Sequence, residues 1–228
     1  MLILTIDTAS IYCTAALIHN KSVIACISER MKKGHAEKLI GQITEVTEQA
    51  NITLDQIDRI AVNIGPGSFT GIRVGVSTAR ALALALEIPA IGVSALEALA
   101  KQAALQNISS NITVAIEAGR GMFYHQDFNK NLITLNAPGL KTLENIIENL
   151  PQKTTLTGPA TDLIALHLKN NTTNKILEFN QIPYEAANIE IYAYLAAEKQ
   201  SQMSPRPLYL RNADAKKQTN FAIPRKQS

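Results

Sequence analysis

Apolar and polar positions in the first half of the chain predict strands near 2–7, 13–18 and 22–28, with a turn at His19-Asn20-Lys21 between the last two. A helix follows over about 36–50, where Leu39, Ile40, Ile43 and Val46 recur at helical spacing. The run from Arg59 to Ile64 reads as a buried strand. It is followed by a helix ending near 86, a strand over 89–93 and a helix over 94–105. The order is βββαβαβα. The second half repeats it with strands over 111–118, 121–128 and 131–135 and a helix over 142–149. A strand over 154–157, a helix over 160–169, a strand over 176–179 and a last helix over 184–200 complete it. One order used twice implies two similar α/β lobes, 1–106 and 107–228, each a mixed sheet with helices on its faces. The short polar stretch Asn107–Asn111 is the expected boundary.

Between the strand ending at Ile64 and the next helix lies Gly65-Pro66-Gly67-Ser68-Phe69-Thr70-Gly71-Ile72-Arg73. Glycine serves where the backbone takes positive φ or approaches another group closely, and Ser68 or Thr70 can cap the helix. Such a loop either cradles an anion on unpaired N–H groups or makes a tight strand-to-helix turn. It is not a Walker A loop, because no Lys follows the last glycine. In the helix itself Gly71, Gly75, Ala79 and Ala83 recur every fourth residue, beside a stripe of Val74, Thr78, Leu82 and Leu86. Interior glycine costs a helix about 1 kcal/mol relative to alanine. That cost is recovered if another element packs very close, either in the same domain or in a partner subunit. Under the second reading this helix and the one over 36–50 form a subunit interface through Leu39, Ile43, Val46, Gly71, Val74, Gly75, Thr78, Ala79 and Leu82. Gly65, Gly67, Ser68, Thr70 and Arg73 then shape the loop.

Composition narrows the class. Hydrophobic residues at 46% and charged residues at 18% are ordinary for a globular protein. Aromatics are 5% with no Trp, which argues against a stacking platform for single-stranded nucleic acid. The N-terminus has no basic n-region and reads as a first strand. The longest apolar stretch carries Arg80 midway, so a cytoplasmic protein without membrane contact is expected. Cys13 and Cys26 are expected to be buried thiols. The net charge of +3 is uneven: residues from Arg206 onward carry +5 and the rest −2. A basic tail can touch RNA phosphates, though such runs are more often simply solvated.

The duplicated order is the layout of the actin, Hsp70 and sugar-kinase ATPases, an actin/Hsp70/sugar-kinase-like fold. In that fold the first hairpin carries an acidic phosphate-binding turn, and here Asp7, Thr8 and Ser10 stand there. Asp7 with two hydroxyls could hold a metal-bound water and a phosphate, or form an ordinary polar turn.

Ile6-Asp7-Thr8-Ala9, His35-Ala36-Glu37, the Gly65–Arg73 loop, Ile91-Gly92-Val93-Ser94 and Tyr209-Leu210-Arg211-Asn212 together resemble the TsaB (YeaZ) family. The resemblance implies a non-catalytic subunit of the bacterial machinery that places threonylcarbamoyl on the adenosine beside the tRNA anticodon, from an adenylate made upstream. It implies the homologous catalytic subunit TsaD and the ATPase TsaE as partners, a homodimer when alone, and tRNA reached through the complex. No cofactor is then required by this subunit, with ATP, ADP and Mg belonging to the complex. Asp7, Thr8 and Ser10 become a degenerate nucleotide site. Catalytic relatives carry a metal-binding His-x-x-x-His where this chain has Ala95 and Leu99, neither of them a ligand. One departure is Glu117-Ala118-Gly119, where the family has Asp-Ala-Arg. The alternative to an accessory subunit is an active ATPase or phosphotransferase of the same fold.

Overall fold

The computed structural model describes residues 1–31, 34–170, 178–200 and 204–211. The first sheet contains β1 (Leu2–Asp7), β2 (Tyr12–His19), β3 (Ser22–Arg30), β4 (Arg59–Asn63) and β5 (Ala90–Val93), with helices α1 (His35–Ala50), α2 (Phe69–Leu86) and α3 (Ala95–Ala104). The second contains β6 (Asn111–Gly119), β7 (Met122–Phe128), β8 (Gly139–Thr142), β9 (Lys153–Thr157) and β10 (Glu178–Ile182), with α4 (Leu143–Glu148), α5 (Thr161–Asn170) and α6 (Ile189–Glu198). Spatial orders are β3-β2-β1-β4-β5 and β8-β7-β6-β9-β10, so the second sheet reproduces the first strand for strand. In each, three antiparallel strands are followed by two parallel ones. The β2–β3 turn places Asn20 and Lys21 at positive φ, the geometry a two-residue hairpin needs.

The third strand of the second sheet departs from the expected 131–135. There the Asn129 side chain accepts from the N–H groups of Asn131 and Ile133, and Leu132 sits at φ 62°. Asparagine thus closes a local turn that competes with the ladder. Only Thr134 bridges to Phe128, and the strand forms at β8 instead, with Met122 opposite Thr142. Residues 176 and 177 of the expected strand over 176–179 lie outside the described residues. The last helix begins later than expected, at Ile189.

Five layers result. Helices α1 and α2 cover the outer face of the first sheet over a core that includes Leu4, Leu17, Leu39, Ile60 and Val76. Helices α4 and α5 cover the outer face of the second around Phe123, Ile146 and Leu156. Between the sheets lie α3 and α6, with Leu96, Leu99, Ile112, Val114, Phe128 and Tyr192 buried together. The halves exchange these helices: α6 packs on β1, β2, β4 and β5, and α3 packs on β6, β7 and β9. Arg59 on β4 fastens the end of α6 by donating through Nη1 to the carbonyls of Ala196 and Lys199, the latter at 2.9 Å. Lys199 pairs with Glu97 on α3 at 2.6 Å. A cut between residues 106 and 107 therefore separates the strands but not the helices.

Candidate functional site

The turn after β1 and the loop before α2 meet at the mouth of a cleft of about 580 Å³ between the sheets. Its walls include Ser10, His35, Ser68, Ala95, Leu99 and Glu117. Asp7 is 3% exposed. Its Oδ1 accepts from the Ala9 N–H at 2.8 Å, the Ser10 N–H at 3.2 Å and Asn63 Nδ2 at 2.9 Å. Burial nevertheless pushes the Asp7 carboxyl above its ordinary value, opposing the hydrogen bonds from Ser10, Ala9 and Asn63. Asn63 Nδ2 also donates to the Tyr192 hydroxyl at 3.0 Å, and Asn63 Oδ1 accepts from the Gly65 N–H at 2.8 Å. One buried network thus ties β1, β4, the glycine loop and α6. Asn63 and Tyr192 had no motif to mark them in the sequence.

The glycines of the loop answer to this turn. A Cβ built on Gly67 would overlap the Ala9 carbonyl, and one on Gly71 the Thr8 carbonyl. One on Gly75 would stand 2.5 Å from the Thr8 hydroxyl. Thr8 Oγ1 donates to Gly71 O at 2.6 Å, and the Ser68 N–H donates to Ala9 O at 2.8 Å. Ser68 is the N-cap, accepting from the Gly71 N–H, while Thr70 is exposed in the first turn. The N–H groups of Ala9, Ser10, Gly65, Ser68, Gly71 and Ile72 are all spent within the chain. A phosphate arriving at the turn would find those donors occupied.

The expected interface residues divide. Leu39, Ile43, Val46, Gly71, Gly75 and Ala79 are buried in the chain's own core, and Val74, Thr78 and Leu82 are half-buried. The four-residue repeat of small side chains therefore serves the seating of α2 on β1 and β4. The opposite face of both helices is open, with Leu84 82% and Ile40 56% exposed beside Gly41, Ser77, Ala81 and Ala85. Helix α2 is long and apolar enough to cross a membrane by length and composition, but its sheet-facing 28% is core. Cys13 is buried and its thiol pushed up to about 11 by burial; Cys26, expected to be buried, is exposed on β3, and both are free.

A strap over residues 204–211 crosses this region. The Leu208 N–H donates to Ile64 O at 2.8 Å. Arg73 lies 3.8 Å above the Phe69 ring and donates through Nε to the Tyr209 hydroxyl at 2.9 Å. Arg211 Nη2 reaches Gly119 O at 3.4 Å. Gly119, Arg120 and Gly121 all take positive φ in the β6–β7 turn, a conformation that glycine adopts without strain.

Comparison with known proteins resolves the family. The model of the family TsaD: tRNA N6-adenosine threonylcarbamoyltransferase matches residues 22–218. The tRNA threonylcarbamoyladenosine biosynthesis protein TsaB of Buchnera aphidicola (Schizaphis graminum subspecies) is 39% identical over 147 residues, 64% of this chain and 69% of its own. The chain belongs to the TsaB (YeaZ) family. Its place is therefore in tRNA threonylcarbamoyladenosine biosynthesis. The structure of YeaZ from Pseudomonas aeruginosa superposes with a TM-score of 0.74 at 21% identity, covering 92% of this chain and 99% of that one. A polyphosphate/ATP-glucomannokinase from Arthrobacter superposes at 0.53 with 12% identity over 86% of this chain and 98% of its own, which places the TsaB fold among the sugar-kinase-like folds. Against that background Ala95 and Leu99 face the cleft with a methyl and an isobutyl group. Side chains without lone pairs do not fit a metal there. Among the described residues no group of three or more His, Cys, Asp or Glu could hold one.

Proposed function

We propose that this chain is the non-catalytic accessory subunit of threonylcarbamoyl transfer to tRNA, binding and activating the homologous catalytic subunit TsaD, with the ATPase TsaE completing the assembly. The observation that carries this reading is the pair Ala95 and Leu99, which line the cleft at the two positions where the resemblance implies a metal-binding His-x-x-x-His in catalytic relatives. A second support is the hydrogen-bonded closure of the Asp7 turn, which leaves its N–H groups committed within the chain. Nucleotide and magnesium then belong to the complex, not to Asp7, Thr8 and Ser10.

Docking uses the open face of α1 and α2. Helices of 16 and 18 residues are about 24 and 27 Å long. Two such helices a side match the roughly 1,600 Å² of a standard stable interface. Paired with their counterparts they form a four-helix bundle, and the same face pairs two copies of this chain when TsaD is absent. The test is reconstitution: the chain alone transfers no threonylcarbamoyl group to tRNA, and transfer appears with TsaD and TsaE. Transfer, or sustained ATP hydrolysis, by the chain alone would overturn the reading in favour of an active enzyme.

A further inference from the structure

Two of the chain's eleven aromatic residues meet at the surface beside an arginine. Phe69 is 55% and Tyr209 48% exposed, with ring centroids 5.4 Å apart and planes tilted by 39°. Attachment of the strap does not require that exposure. Its backbone is fixed by the Leu208 N–H on Ile64 O, and Pro205 sits against Gly92. Beside the rings lies a groove of about 440 Å³, walled also by Ala118, Tyr124, Leu208 and Arg211. That volume is in the range of small-ligand sites. No carboxylate lines it. Arg73 spends Nε on Tyr209, and its terminal nitrogens take no further partner among the described residues. The chain continues from Arg211 into a sequence with Lys216, Lys217, Arg225 and Lys226 against one Asp, while the body before Arg206 is net −2. Positive charge is thus concentrated in the sequence that follows the strap.

We propose that this groove is a direct RNA contact, taking an unpaired tRNA base against Tyr209 and Phe69 and adjacent phosphates on Arg73 and Arg211. Aromatic rings accept any base face, and arginine beside them supplies both cation–π and phosphate contacts. An apolar protein segment would use the rings but would not call for two arginines and an acid-free rim, and a protein contact of any charge is read out by co-elution with TsaD. The proposal rests on the chain's place in tRNA threonylcarbamoyladenosine biosynthesis; it uses the N-terminal end of α2, at Phe69 and Arg73, whereas the docking residues Ile40 and Leu84 lie on α1 and toward the C-terminal end of α2.

The experiment titrates an unmodified tRNA transcript against the complex of the full chain with TsaD, by fluorescence anisotropy at several salt concentrations. Tyr209→Ala weakens binding by roughly 5- to 150-fold, the range of base–aromatic stacking. Tyr209→Phe, which keeps the ring, stays close to the parent. Arg211→Ala lowers the slope of log affinity against log salt by about 1. Melting curves and co-elution with TsaD are unchanged in Arg211→Ala, which separates RNA contact from folding and docking. If no complex forms, the docking proposal has failed, and the same losses are read on the chain alone. Unchanged tRNA affinity in both Tyr209→Ala and Arg211→Ala overturns the proposal. So does loss of TsaD co-elution with tRNA binding intact, which would make the groove a protein contact.

Discussion

Replacing Gly71 by alanine tests the seating of α2 on the turn after β1, with Gly41→Ala as its counterpart. A Cβ on Gly71 would fall on the Thr8 carbonyl, which is backbone and cannot swing aside. Relief requires α2 to lift, drawing Gly71 O away from the buried Thr8 hydroxyl that donates to it at 2.6 Å. Overpacking costs typically about 1–3 kcal/mol, and a buried hydroxyl left without its acceptor about 1–3 kcal/mol more. Alanine recovers at most about 1 kcal/mol of helix propensity. The net loss is roughly 3 kcal/mol. At about 2–4 °C per kcal/mol for a chain of this size, the melting midpoint falls by roughly 6–12 °C. Gly41 lies on the open side of α1, and a Cβ there meets no atom within 4 Å. Only propensity acts, so Gly41→Ala gains about 0.5–1 kcal/mol and melts a few degrees higher. Calorimetry on both variants reads the opposite signs. A Gly71→Ala protein that melts at or above the parent would refute the close seating.

Three further substitutions probe the buried polar groups. Because burial raises the Asp7 carboxyl, its ionised form is disfavoured by the fold, and its contribution to stability is lost as pH rises through the folded value. Asp7→Asn is therefore expected to melt at least as high as the parent at pH 8, with the advantage shrinking toward pH 4, and to lower partner-dependent tRNA modification only modestly. A variant that loses ground as pH rises, or a parent with magnesium-dependent ATP binding that Asn abolishes, would contradict this. Burial pushes Asp127 up as well, but His125, Thr113 and Asn136 hold it below its ordinary 3.8. Its contribution is present above that value and lost as pH falls through the folded one. Asp127→Asn should cost about 1–3 kcal/mol in urea denaturation at pH 7, the cost shrinking as pH falls below 3.8; a cost independent of pH would count against a depressed Asp127 carboxyl. Tyr192→Phe removes one of two acceptors of Asn63 Nδ2, so a loss of about 0.5–1.5 kcal/mol is expected, and no loss would mean the network does not hold α6.

The order of elements was legible because strand and helix periods differ and because the second sheet repeats the first. The missed strand shows the limit: Asn131–Leu135 has an apolar content suited to a strand, yet the Asn129 side chain fixes a turn there. The loop was legible as a tight turn through Ser68 and its glycines, but not what the glycines face. Small residues every fourth position mean only that something packs close. Here that neighbour is the chain's own Thr8 and Val62 around Gly75, so leucine at Gly75 or Ala79 would damage the core before it tested a partner. Asn63 and Tyr192 went unread because they are 129 residues apart and α6 crosses to the other half's sheet. The aromatic groove was hidden for the same reason. Scarcity of aromatics in the composition says nothing of two of them meeting through Arg73.

Co-elution with TsaD tests the central claim most directly. Leu84, 82% exposed on α2, and Ile40, 56% exposed on α1, are replaced together by glutamate, which leaves the core untouched. Size-exclusion chromatography of each chain mixed with TsaD then reads the interface. The account predicts that the parent chain co-elutes with TsaD, while the Ile40→Glu, Leu84→Glu chain elutes alone with an unchanged melting temperature. Co-elution of the double variant with undiminished affinity would contradict it.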